Sequence, residues 1–170
     1  NNKIGYVFYP DQGNQQLAKE IIFYLNSLGF IVFIKQRRKH QEVEKFDLEN
    51  VNIVYDDIWY PSEAVILPSF ADIAIGFSSA AYSDLVPAGV KYIDLALEPY
   101  SKSRSEIDSN SKWPGYIKPK NKNNFCCINE PDIELIKLKI DNMMKLNDLN
   151  SKIEKFNNNL ILGEKFIKNI

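Results

Sequence analysis

Ser78 and Ser79, side by side, are the residues of this chain whose placement most suggests chemistry. They follow a short apolar run, Ile73-Ala74-Ile75-Gly76, that suits a buried parallel strand, and a helical pattern begins at Ala80. The first N–H groups of a helix lack intrahelical partners, and the helix dipole adds partial positive charge there. A strand end, two hydroxyls and a helix N-terminus make a seat for phosphate. The competing reading is that Ser78 or Ser79 only caps the helix.

Other residues fit the same chemistry. Lys35 to His40 follows a strand at once and brings Lys35, Arg37 and the only histidine, His40. Arginine suits bidentate phosphate recognition and lysine acts as a point charge. The plainer alternative is a solvated basic turn. Gly13 lies in the turn after the first strand, where a backbone able to take positive φ suits close approach to a phosphate. Asp84, five residues beyond Ser79, could accept hydrogen bonds from a sugar hydroxyl, or be an exposed helix acid. Trp59 is a candidate for stacking on a base, though such aromatics more often pack as core. Asp72 precedes its strand, on the opposite edge, and reads as structural. Cys126 and Cys127 sit in a short strand and are expected to be buried. A lone histidine builds no zinc site by itself, and neither a metal motif, a Gly-x-Gly-x-x-Gly, a P-loop lysine nor a Gly-x-Ser-x-Gly elbow is present.

These residues need a frame. Apolar, β-branched and aromatic runs predict strands at 3–9, 30–34, 51–55, 73–76, 91–97 and 125–129. Helical spacing of Leu17, Ile21, Ile22, Leu25 and Leu28 predicts a helix over 15–28, capped by Asn14 and stopped by Gly29. Further helices are expected from Ser62 to about Phe70, from about Ser79 to Val86, and from Pro131 to Leu146, with a last one at 152–168. The alternation implies a Rossmann-like three-layer α/β/α fold with a mainly parallel sheet. It divides the chain into a domain at 1–147 and a C-terminal helical segment at 148–170 that packs on it or on a partner domain. Ligands of such sheets bind outside the carboxyl ends of the strands. That edge collects Tyr9–Asn14, Lys35–His40, Asp56–Tyr60 and Phe77–Ser79.

Composition sets bounds. The 170 residues suffice for one domain with a sizeable core, and 45% hydrophobic with 25% charged is ordinary for a globular chain. A net charge of -1 gives no electrostatic case for nucleic acid or an anionic membrane. Two adjacent cysteines form no disulfide framework, which points to a reducing, cytoplasmic compartment. No apolar run reaches the length of a membrane span. The chain begins with Asn rather than Met, so a piece of something longer is expected.

The run PSEAVILPSFADIAIGFSSAAYSDLVPAGVKYIDL resembles the C-terminal half of a GT-B-type nucleotide-sugar glycosyltransferase of the bacterial surface-polysaccharide kind. In such halves a strand ends in a serine pair, an acid follows one to two turns later, and a glycine-led strand comes next. Here those are Ser78-Ser79, Asp84 and Gly89-Val90-Lys91-Tyr92-Ile93. The resemblance implies that the serine pair contacts the donor phosphate. Sialyltransferase-like and Kdo-transferase-like groups carry a His-Pro after the second strand. This chain has His40-Gln41 instead, which leaves CMP-, UDP-, GDP- and CDP-linked donors open. The resemblance further implies a glycan or lipid-linked acceptor, an N-terminal acceptor domain or second chain, and a place at the inner face of the membrane through that partner. No cofactor is expected, since the nucleotide sugar is the substrate. Two other readings stay open: an epimerase-like nucleotide-sugar domain, and a non-catalytic receiver-like module built on Asp11 and Asp57.

Overall fold

Strand β1 (Lys3–Phe8) alternates its side chains between two buried layers, and the helix α1 (Gln15–Ser27) that follows is amphipathic. A strand followed by such a helix must bury the helix on the sheet, which makes the next strand, β2 (Phe30–Lys35), run parallel to β1. The computed structural model describes residues 3–10, 13–36, 46, 48–54, 67–97 and 124–145. The remaining described elements are β3 (Val51–Val54), a short 3-10 turn (Leu67–Phe70), β4 (Ile73–Phe77), α2 (Tyr82–Leu85), β5 (Lys91–Leu95), β6 (Phe125–Ile128) and α3 (Ile133–Lys145).

The six strands form one sheet in the order β3-β2-β1-β4-β5-β6, with every pairing parallel. This is the Rossmann-like order in which the chain leaves β1 in both directions. The two faces differ in chemistry. Val7, Val32, Ile34, Ile73, Ile75, Ile93, Leu95 and Ile128 form an aliphatic face that α1 and α3 cover with Leu17, Ile21, Ile22, Leu25, Ile136, Ile140 and Met143. The other face is aromatic and small: Tyr6, Ala74 and Tyr92 pack under Tyr82 and Leu85 of α2, with Phe8, Phe33 and Phe125 at the margin. Helices on both faces complete the three layers.

Helix ends follow local chemistry. Gly29 takes φ +80° and its N–H donates to Asn26 O, so α1 stops where expected. Asn14 does stand at the N-cap, but in the left-handed region with φ 59° and with no side-chain cap bond. Helix α3 begins two residues after Pro131, because the Asp132 carboxylate accepts from the N–H groups of Glu134 and Leu135. Between the two helices of the aliphatic face, Tyr24 donates its hydroxyl to Asp141 Oδ1 at 2.7 Å, and Lys137 lies over the Tyr24 ring.

Three expectations are corrected. The helix expected from Ser79 to Val86 shrinks to Tyr82–Leu85. The expected helix ending at Phe70 closes as a 3-10 turn, and its earlier part lies outside the described residues. The cysteines are not both buried. Successive residues of a strand point to opposite faces, so Cys126 is half-buried on the aliphatic side and Cys127 is exposed. Burial pushes the Cys126 thiol up, against the lowering influence of Lys139. The helix expected at 152–168 lies outside the described residues. Among those residues, no helix is long and apolar enough to cross a membrane.

Candidate functional site at the strand switch point

Ligands of doubly wound sheets bind where neighbouring strands send their chains to opposite faces. Here that point lies between β1 and β4. Beyond β1 come Gly13 and Asn14, both left-handed with φ 62° and 59°, and then the 13-residue helix α1, which has no acid in its first turn. Its N-terminal N–H groups therefore open on the crevice with no carboxylate nearby on the helix. Beyond β4 come Ser78 and Ser79, both half-buried.

The serine turn is bent by Ser78, which has φ 50°, an uncommon conformation for a residue with a side chain. Its N–H donates to Leu95 O at 3.0 Å and its hydroxyl leans on the same oxygen at 3.4 Å. Ser78 thus fastens the turn to the end of β5. Ser79 Oγ accepts from Ala81 N–H at 3.3 Å. Neither serine is a helix cap: the N-cap of α2 is Ala81, and α2 has four residues. A helix that short adds little dipole. The positive end at this crevice is that of α1, across the switch point, rather than the one expected at Ala80.

Gly76 explains how the turn sits. A β-carbon there would run into the Tyr92 hydroxyl, and would lie 2.9 Å from Tyr92 Cζ and 3.1 Å from Ser79 Cβ. The missing side chain leaves the space that the Tyr92 phenol enters and Ser79 borders. Register carries the row further. Lys35, Phe8, Gly76, Asp94 and Cys127 are successive neighbours across five strands, so their side chains share the α2 face. At about 4.8 Å per strand, the Lys35 and Asp94 backbones stand roughly 14 Å apart, on either side of the switch point.

Asp94 was not singled out from sequence. It is 1% exposed and engaged in the protein, in a strand that is apolar or aromatic beyond Lys91 apart from this acid. The signal was there to read: one acid inside Tyr92-Ile93-Asp94-Leu95-Ala96-Leu97. Asp84 is exposed on α2, and loss of water on its protein side pushes its carboxyl up. Asp72 sits at the amino edge, where its Oδ2 accepts from Ile4 N–H at 2.8 Å and its own N–H donates to Ile4 O at 2.8 Å. Its structural reading holds. The structure therefore brings Gly13, Ser78 and Ser79 to the switch point, with Lys35 at the end of the adjoining strand. Arg37, His40 and Trp59 lie outside the described residues, as do Asp11 and Asp57. Among the described residues no group of three or more His, Cys, Asp or Glu side chains could hold a metal ion.

No protein-family model matches the chain, and no curated protein matches it significantly.

Proposed function

We propose that this chain is the donor-binding domain of a glycosyltransferase, which holds a nucleotide sugar at the switch point while another domain or chain presents the acceptor. One observation carries the reading: two turns with left-handed residues, Gly13-Asn14 before α1 and Ser78-Ser79 after β4, flank one crevice on the carboxyl edge. Backbone N–H groups in such turns and at a helix start favour phosphate oxygens. Lys35 adds a cation on the same edge. In this reading Ser79 and the α1 N-terminus stabilise charge on the leaving phosphate as the sugar passes to a hydroxyl. Ser78 shapes the turn. The base that takes the acceptor's proton belongs to the other half of the site, as do the polysaccharide or glycolipid acceptor contacts.

The strand order supports this reading over the receiver-like alternative, because flavodoxin-like sheets run 2-1-3-4-5. The test is a thermal-shift panel of CMP and of uridine, guanosine and cytidine diphosphates. At least one is expected to raise the melting temperature, and Ser79→Ala with Ser78→Ala is expected to remove the shift. A panel that gives no shift at all overturns the proposal.

A further inference from the structure

We propose that Tyr9 and Phe77 form a wall of the switch-point crevice on which the base of the nucleotide stacks. The proposal deepens the nucleotide-sugar reading above and rests on it. Strand pairing brings the two residues together. One step past the Phe8–Gly76 pair, Tyr9 and Phe77 leave the sheet on adjacent strands, with backbones about 5 Å apart. Both side chains belong to the aliphatic face, the one that α1 covers, and both are half-buried. Phe77 runs directly into Ser78-Ser79, and Tyr9 into the turn that ends at Gly13-Asn14. Each turn of the phosphate seat thus springs from an aromatic residue on one common face.

The side chains beneath are of another kind. On this face β1 carries Val7 and β4 carries Ile73 and Ile75, all fully buried, and both columns turn aromatic only at the last position, where water reaches them. Apolar ring surface left in water is unfavourable in proportion to its area, and a flat base laid on it recovers that area. Stacking also tolerates any base, because every base has a π-face. The Tyr9 ring is held ready. Its backbone N–H donates to Lys35 O at 2.9 Å, and Phe46 meets the ring nearly at right angles, centroids 5.9 Å apart. Near-perpendicular packing of this kind is a favoured aromatic arrangement and fixes the ring's tilt.

Titration calorimetry of the full chain tests the wall. The probes are CMP and the uridine, guanosine and cytidine diphosphates, with ribose 5-phosphate and inorganic pyrophosphate as base-free controls. At least one nucleotide is expected to bind about tenfold or more tighter than ribose 5-phosphate. Phe77→Leu and Tyr9→Leu, which keep an apolar side chain but remove the ring, should each weaken that nucleotide about tenfold and leave pyrophosphate binding unchanged. Equal binding of nucleotide and ribose 5-phosphate, or losses shared equally by pyrophosphate, overturns the wall and leaves the phosphate seat standing. If the leucine variants fail to fold, NMR of the wild type decides without them. Ring currents from a stacked wall shift the base protons upfield on binding, and base protons that do not shift overturn the wall. If no nucleotide binds the wild type, the nucleotide reading and the wall fall together.

Discussion

A methyl group at position 76 would meet the Tyr92 ring and Ser79 together. Ring and turn are both built into the sheet, so neither can yield cheaply. Gly76→Ala should cost about 1–3 kcal/mol, the usual range for overpacking. Urea denaturation would show it, with partial recovery in Gly76→Ala/Tyr92→Phe. A second residue-scale prediction concerns Tyr24, whose hydroxyl is pushed up to about 12, first by burial and then by its bond to Asp141. The folded chain holds that proton more tightly than the unfolded one. The contribution is therefore complete below pH 10 and disappears as pH rises from 10 through about 12. Ultraviolet titration should find this phenol ionising later than an exposed one, and Tyr24→Phe should cost about 1 kcal/mol at neutral pH. Residues differ in how far sequence exposes them. Ser78 and Ser79 were visible because two hydroxyls end an apolar strand. The place of Tyr92 was not, because it depends on the side chain that Gly76, a strand away, lacks.

At the scale of elements, strands were the most legible. Their β-branched and aromatic runs left only one- or two-residue differences at the ends. Helix α2 was not, because Ala80 to Val86 has helical spacing throughout while the left-handed Ser78 and the Ser79–Ala81 bond turn its first part into a loop. A cap was also missed. Asp132, not Pro131, starts α3, and Asp132→Ala should lower stability by about 1 kcal/mol in thermal or urea unfolding. The pleat makes a further prediction. A thiol reagent should modify the exposed Cys127 quickly, while Cys126, under α3 and with its thiol pushed up, should react only as the chain unfolds.

For the whole molecule, the alternation of strands and helices made the Rossmann-like architecture readable, and the strand order fixes which turns converge. Sequence order alone placed Gly13, Lys35, Ser78 and Ser79 on the carboxyl edge. It could not reveal that the helix dipole facing the serines is that of α1, since this follows from β1 and β4 becoming neighbours. That pairing has a mechanical side. The reciprocal bonds of Ile4 and Asp72 tie the two strands together at their amino ends. At the other end, the chain departs from β1 toward one face and from β4 toward the other. The seam between them has a fixed end and a loose end, and its opening fluctuations should begin at the loose one. Amide protection along β1 and β4 should then fall from Ile4 toward Phe8 and from Ile73 toward Phe77. Any molecule clasped by both turns would act as a second fastening, converting a seam pinned at one end into one closed at both.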